Sequence, residues 1–494
     1  MEGPYIVVCN RFSFKYEDAV IVSTVRKYVD DFRLITTNRK ADELLDDQRI
    51  VCIKKSLLDR WSESREGIIS YMQDCIKKGI PVFIFPSRRI TPYNFETIGW
   101  DKKIIKAIYQ AGVPVIPMCA RAEDQLDNDS AQNVFKNALS VFQQENQATL
   151  NIRIGKPILA EDLKKFEQPK QFRRFLFTKT HALGSSANVE KFYNTPPAKK
   201  GKAVGEQVPV EELKKEIELI KKDFLIAQKG SIQVFICPTL TIPHIMQEIG
   251  VLREITYRQE GEGSGKSVDI DEYDLYYRQI FIWDSKAEKI AGGYRVGCGD
   301  EIMNTYGRTG FYLHTLFKFE KEFDDIFRQS LDLGRSFVIK EYQKDAFPLF
   351  LLWKAIYAFL KQHEQYRYLM GPVSVSASYS PLSRQIIVAF LKEHFLDKKL
   401  AEHVTARHPF KETLGFKKKK VLLQQFDGLF SDLDKFIEDI EPGHHKIPVL
   451  LKQYIKQNSK FLGFNVDPDF SDALDCLILL DVKKLPSSTV ENLS

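Results

Sequence analysis

Residues 332–338 read Asp-Leu-Gly-Arg-Ser-Phe-Val, an acidic and a basic side chain three apart at the start of an apolar run. A run of this kind, RSFVIKEY in full, reads as a β-strand. The charges at its head are the first sign of chemistry in the chain. Residues of the same types stand upstream in a spaced series. Arg253 lies in VLREITYRQ at a helix end, and DEYD places Asp271 and Asp274 three apart, just before the strand RQIFIWD. Arg295 closes the strand KIAGGYR. Taken singly each has a plainer reading: Asp271 and Asp274 as helix-edge charges, Asp332 and Arg335 as a local salt bridge.

Outward from this stretch, the C-terminal half is an α/β unit. VEELKKEIELIKKDFLIAQKG (210–230) has the periodicity of one amphipathic helix stopped by Gly230, and SIQVFICP begins the strands. KIAGGYRVG and RYLMGPVSVS are further strands, and PLFLLWKAIYAFLKQ is a helix before the last of them. In the N-terminal half YIVVC, RLITT, RIVCI, PVFIFP, VPVIPM and TLNIRIG read as strands. They alternate with helical patterns, of which SREGIISYMQDCIKKG and DKKIIKAIYQAG are the clearest, each stopped by glycine. Alternation of this kind implies an α/β fold with largely parallel, buried strands. SSANVEKFYNTPPAKKGKAVGEQVP (185–209) lacks apolar periodicity and reads as a linker. The expected divisions are therefore 1–185, a linker at 186–210, a second domain at 211–430, and an extension at 431–494 packed on that domain.

A chain of 494 residues, 44% hydrophobic and 28% charged, is long enough for two or three buried cores. Its net charge of +6 permits contact with anionic lipid or an acidic carrier protein and shows no basic stripe of the kind nucleic acid requires. The seven cysteines are scattered, which points to a reducing cytoplasm and away from structural zinc. Met1 leads almost directly into a strand, so no secretory signal is expected, and Phe347–Leu360, the nearest approach to a membrane span, is broken by Lys354. GEGSGKS (261–267) lacks the phosphate-loop spacing and reads as a flexible lid or loop. KKKK (417–420) reads as a solvated turn, and His444-His445 and the pair His403 and His408 have no partner ligands in sequence, so no metal is expected.

Three places in the N-terminal half, NRFSFKYED (10–18), FPSRRIT (85–91) and AGVPVIPM (111–118), resemble in order the glycerolipid acyltransferases that esterify lysophosphatidic acid. The resemblance implies their α/β fold over 1–185, but the chemistry departs from it. Where the family has histidine this chain has Arg11, which cannot act as a base near neutrality. Residues 1–180 contain no histidine. Tyr16 stands at the family's aspartate spacing, with Asp18 beyond it, and the phosphate-gripping motif keeps only Arg88 and Arg89. The expectation is a catalytically degenerate lobe.

The series Arg253, Asp271 with Asp274, Arg295, and Asp332 with Arg335 resembles the GNAT-fold acyl-homoserine-lactone synthases and, more closely, the hemolysin-like N-acyltransferases of ornithine and glycine lipids. LGRSFV, YRYLMGPVSVS and the tail from IPVLLKQYIKQ onward fit the lipid branch. The resemblance implies transfer of a (3-hydroxy)fatty acyl group to the amine of a small amino acid. Asp332 is then the base or amine anchor, with oxyanion donors near Phe337 and Val338. The phosphopantetheine arm passes the helix begun by Pro348. No Q/R-x-x-G-x-G/A loop precedes that helix, which favours acyl carrier protein over coenzyme A as donor. The expected setting is bacterial, cytoplasmic and peripheral on the inner face of the cell membrane, with no nucleic acid and no bound cofactor. Two other readings stay open: an O-acyltransferase acting on a lyso-lipid through the first domain, and a non-catalytic lipid-binding scaffold.

Overall fold

The computed structural model describes residues 3–10, 17–36, 48–53, 61–86, 100–122, 150–185, 202–344, 347–413, 430–441 and 445–493, with Leu423 and Phe426. The chain divides into two compact units, Met1–Tyr193 with Leu414–Lys446, and Asn194–Thr413 with Ile447–Ser494.

In the first unit the apolar runs form β1 (Ile6–Cys9), β2 (Arg33–Thr36), β3 (Ile50–Cys52), β4 (Val82–Ile84), β5 (Val115–Ala122) and β6 (Leu150–Ile154). They make one six-stranded sheet in the order β3-β2-β4-β1-β5-β6. All its pairings are parallel except β5 with β6. Parallel strands are covered on both faces, which is why β1 is apolar throughout and wholly buried. The helix Lys102–Gln110 starts where the Asp101 side chain accepts from the N–H groups of Lys103 and Ile104. Its periodic Ile104, Ile105, Ala107 and Ile108 face the core.

One expected boundary fails here. The helix Phe430–Ile440, read as the start of the C-terminal extension, belongs to the first unit. Asp439 pairs with the buried Lys179 at 3.2 Å and accepts from the Lys156 N–H at 2.8 Å, while Arg153 donates to Ile440 O at 3.0 Å.

The second unit contains β7 (Leu225–Lys229), β8 (Ile232–Pro238), β9 (Arg278–Asp284), β10 (Lys289–Cys298), β11 (Phe317–Phe319), β12 (Ser330–Val338), β13 (Tyr368–Val375), β14 (Val404–Ala406), β15 (Lys460–Asp467) and β16 (Ala473–Asp481). Eight of them form one sheet in the order β15-β16-β13-β12-β10-β9-β8-β7, and β11 pairs with β14. The tail strands β15 and β16 are thus members of the sheet, not an extension packed upon it. The helix expected over 210–230 is shorter: it spans Val210–Phe224 and gives way to β7, because Leu225–Lys229 pairs with β8. Gly230, at φ 61°, makes the turn between them. Residues 205–208, expected as linker, are tied to this unit. The Gly205 N–H donates to Ser267 O at 2.8 Å and the Val208 N–H to Glu248 at 2.8 Å.

The centre of the sheet positions the site. β12 pairs with β13 in parallel only from Ser330–Tyr368 to Asp332–Met370, and past that point the two strands part. On its other side β12 stays with β10, but Gly293 pairs with Phe337 and Arg295 with Gly334, so β12 carries one extra residue. This is a β-bulge at Arg335–Ser336, and Arg335 takes a φ of 50° within it. The strand begins at Ser330 rather than at Arg335, which moves Asp332 from a strand head to its interior.

Gly371 marks the parting of the strands, and a Cβ there would lie 2.2 Å from Leu333 O. Gly371→Ala is therefore expected to cost roughly 1–3 kcal/mol, since backbone cannot yield as a side chain can. Urea unfolding at fixed pH measures it; an unchanged midpoint would show that the strands separate without help from this close approach.

Candidate active site

Three arginines and three aspartates of the second unit form one buried lattice. Arg253, inside the helix Pro243–Gln259, donates through Nη1 to Asp274 Oδ1 (3.0 Å) and through Nη2 to Gln279 Oε1 (2.6 Å). Asp271 and Asp274 are a capping box around the 3-10 turn Glu272–Leu275, each side chain accepting from the other's end of the turn. The spacing of three thus has a local cause, and the carboxylate edges left over face arginines. Arg295 of β10 donates to Asp271 and lies 3.3 Å from Asp274 Oδ2. Arg335, turned by the bulge, reaches Asp269 at 3.0 Å and Asp271 at 3.2 Å and donates to the Tyr312 hydroxyl at 3.2 Å. Burial opposes ionisation of Asp274, but Arg253 and Arg295 hold its carboxyl well below the usual range. Burial likewise works against the charge on Arg335, yet Tyr312, Asp269 and Asp271 raise its pKa well above the ordinary value.

Aromatic rings close the lattice. The Arg295 guanidinium sits over Tyr273, Tyr277 and Tyr312 at 5.7, 5.2 and 5.0 Å, and Arg335 over Tyr312 and Phe470 at 4.8 and 4.5 Å. Nε and Nη2 of Arg295 are enclosed without hydrogen-bond partners.

Asp332 joins this lattice through Tyr277, whose hydroxyl donates to Asp332 Oδ2 at 2.7 Å and accepts from the Tyr312 N–H at 3.0 Å. Burial pushes the Asp332 carboxyl up to about 6, against the opposite pull of Tyr277, Arg295 and the N–H groups of Leu313 and Tyr312. Two residues along β12, on the same face, a Cβ on Gly334 would meet nothing within 4 Å. The sheet is therefore uncovered at the residue paired with Arg295, one step from Asp332. A buried carboxyl, an arginine with unpartnered donors and an unoccupied space share one patch, which suits a small zwitterion.

The structure thus brings together Arg253, Asp271, Asp274, Arg295, Asp332 and Arg335. Asp269, Tyr277, Gln279 and Tyr312 are added to them. Asp269 could have been found from its spacing of two before Asp271. Gln279 owes its role to being the cross-strand partner of Arg295, which no local pattern shows. Of the expected oxyanion donors, Val338 and Phe337 differ. The Ile339 N–H donates to Ala291 O of the β10 side at 3.0 Å, so by alternation the Phe337 N–H faces β10 and the Val338 N–H faces the edge that β13 has left. Phe337 itself is packed into the core. Pro348 is the second residue of the helix Phe347–Gln362, not its first.

GEGSGKS is neither a phosphate loop nor a free lid. The Glu254 carboxylate accepts from the N–H groups of Ser264 and Gly265 at 3.2 and 2.9 Å and from the Ser264 hydroxyl at 2.7 Å. His403 does have neighbours, since its Nδ1 lies 2.8 Å from Glu320 and 3.9 Å from Glu322 in an exposed group. In the first unit Arg11, Arg88, Arg89 and the KKKK run lie outside the described residues. Asp18 is buried in the helix Glu17–Val25. Asn10 bridges to the strand β5: its Nδ2 donates to Ala120 O (3.0 Å) and its Oδ1 accepts from the Ala120 N–H (2.8 Å).

Against known proteins, the Acetyltransferase (GNAT) domain family matches residues 252–353, a span that holds all six charged residues of the series. A glycine N(alpha)-acyltransferase of Phocaeicola vulgatus is 31% identical over 288 residues, which are 56% of this chain and 87% of that protein. Another, of Bacteroides thetaiotaomicron, is 31% identical over 273 residues, 53% of this chain and 80% of that protein. No solved structure matches the chain. With a GNAT domain laid across the lattice and relatives covered over most of their length, the chain belongs to the glycine N(alpha)-acyltransferase family and is an N-acyltransferase.

Proposed function

We propose that the second unit moves a (3-hydroxy)fatty acyl group from acyl carrier protein to the amine of glycine or another small amino acid, making an aminolipid. The observation that carries this reading is the uncovered face at Gly334, with Asp332 on one side and the buried, unpartnered donors of Arg295 on the other. Glycine's carboxylate matches the arginine, and the carboxyl is placed to receive the proton that its amine must lose.

The amine, freed of its extra proton, attacks the thioester carbonyl carbon. A C–N bond forms and the carbonyl π pair moves onto oxygen, where the Val338 N–H on the open strand edge supports it. When that pair returns, the C–S bond breaks and the thiolate leaves with the phosphopantetheine arm, to be protonated from solvent. The proton released from nitrogen passes to Asp332 through water, since the carboxyl is enclosed beneath Tyr277 and is one methylene shorter than glutamate. The donor's arm passes the start of the helix Phe347–Gln362, and the sequence before it, KEYQKDA (340–346), contains no glycine to form a nucleotide-gripping loop. The product is amphiphilic, and in this reading the enzyme works peripherally at the inner membrane surface, where such a product partitions. Among the described residues no helix is long and apolar enough to cross a membrane. The first unit supplies no base in this reading; Asn10 serves to join two strands.

Four outcomes test this. With purified acyl carrier protein carrying a 3-hydroxyacyl group, glycine should give an N-acyl product by mass spectrometry, and Asp332→Asn should lower turnover roughly 10²-fold or more. The wild-type rate should climb as pH rises through about 6, where Asp332 ionises. Stability should run the other way. Because the folded-state pKa is raised, the unfolded chain loses this proton first, so ionised Asp332 costs stability that Asn does not. The variant should melt higher above pH about 6, and this advantage should fade as pH falls toward the ordinary carboxylate range. A lower melting point at pH 7.5, with activity retained, would remove Asp332 from the mechanism.

Gly334→Val adds bulk where the chain has none. Melting should be unchanged while turnover falls by roughly 10²-fold; full activity would mean that acceptor and donor meet elsewhere. Arg11→Ala, by contrast, should leave N-acyl formation within about twofold, well short of the ~1.4 kcal/mol that a tenfold change represents. A large loss there would transfer the chemistry to the first unit.

A further inference from the structure

On the same face of the sheet as Asp332, and beside the gap between β12 and β13, stands a group of acids that the reaction as described does not use. Asp475 of β16 is 3% exposed; its Oδ1 accepts from Ser374 Oγ at 2.8 Å, and its Oδ2 is enclosed with no hydrogen-bond partner. Ser374 is the cross-strand partner of Asp475, four residues past Met370, which is the partner of Asp332. Alternation along β13 therefore sends Met370 and Ser374, and with them Asp332 and Asp475, to one face. Asp475 lies level with the open stretch of β12, above the point where the strands are still paired.

Two further carboxyls face it. Asp467 of β15 is buried, and its Oδ1 accepts from the Asp469 N–H at 2.9 Å. Glu262 follows the helix Pro243–Gln259 in the loop whose Gly261 lies against Ser376. Burial and then Asp467 push Asp475 up to about 8, while burial and then Glu260 push Glu262 up to about 7. The positive charge that faces this group is Arg335, and Asp269 and Asp271 already pair with it. Tyr312 bridges the two sides: Arg335 donates to its hydroxyl, and Asp467 and Asp475 are near enough for their charges to act on that hydroxyl. A buried oxygen that accepts nothing costs free energy, and a site is where such an atom persists.

We propose that Asp475, flanked by Asp467 and Glu262, is the subsite that takes the ammonium group of the amine acceptor, before Asp332 receives the proton; this rests on the reading of the second unit as an amine acyltransferase. The ligand class is a small primary ammonium, and a hydroxy acid of the same size has nothing to place there. Asp475 forms no covalent bond. In the empty site near pH 7 it is mainly the neutral acid, and an arriving ammonium lowers its pKa, so the ammonium displaces one proton to solvent as the ion pair forms.

The full-length protein allows a direct test. Glycine is titrated calorimetrically at pH 7 in two buffers of different ionisation enthalpy, without acyl donor, and steady-state rates are measured with the donor. Wild type should release protons on binding glycine and should not bind glycolate. Asp475→Asn should abolish the release and raise the KM for glycine at least about tenfold, ~1.4 kcal/mol of binding, with kcat within about threefold and the KM for the acyl donor unchanged. Asp332→Asn should show the opposite split, a loss in kcat. If Asp475→Asn does not fold, Glu262→Gln on the loop carries the test, with a smaller rise in glycine KM expected. An unchanged glycine KM with undiminished proton release, or equal binding of glycolate, overturns the subsite. A wild-type protein that acylates no amine overturns the underlying reading instead, and the proton release still reports on Asp475.

Discussion

Everything in the second unit depends on the neutralisation of three buried guanidiniums. Arg253, Arg295 and Arg335 are matched by Asp269, Asp271 and Asp274, so the lattice carries no net charge although it lies beneath tyrosine rings and a helix. Taking ions out of water costs several kcal/mol each, and only complete pairing offsets it. Removing any one partner leaves a stranded charge, an effect on the order of 3–5 kcal/mol. The lattice therefore acts as a rigid clamp that joins the helix Pro243–Gln259, the 3-10 turn, β10 and β12. These are the parts of the unit that must stay fixed if a neighbouring pair of strands is to open.

That opening is the second constraint. A sheet normally satisfies every interior N–H and C=O by pairing, so a gap between two central strands leaves groups that need other partners. Here the gap is permitted because β12 remains fully paired to β10 and is bent by its bulge, while β13 remains paired to β16 along its whole length. The strained backbone of Arg335, at φ 50°, is held by two ion pairs and two rings. Strain, ion pairing and the open edge thus occupy one residue's neighbourhood, as expected where a binding site is built into a sheet.

What could be read from the chain was what local rules determine. The short apolar runs of the first unit became strands at nearly the expected positions, and the Asp271–Asp274 spacing is a capping device that needs no distant partner. Arg253, Arg295 and Arg335 were legible as a series by resemblance, but not as a lattice, since their partners lie on other elements. The failures have physical causes. LIAQK continues a helical pattern, and only the β8 edge makes it a strand. A bulge depends on cross-strand register, so Asp332 was placed at a strand head. The excursion of Phe430–Ile440 into the first unit depends on Asp439 meeting Lys179, a contact over 260 positions that composition cannot show.

The carboxylates of this unit then divide by environment rather than by type. Asp274 faces two arginines and is held ionised far below neutrality, so it is fixed charge at any working pH. Asp332, beneath Tyr277 and with Arg295 as a second neighbour, is poised at about 6. Asp475, with a hydroxyl and two other acids for company, is pushed up to about 8. All three are enclosed, so burial alone does not rank them; the count of positive charge nearby does. A group held far from neutrality can support structure but cannot exchange protons usefully, whereas groups near neutrality can. The gradient therefore runs from the clamp at Asp274, through Asp332, to the acids beside the open strands. It separates what holds the site together from what handles the amine.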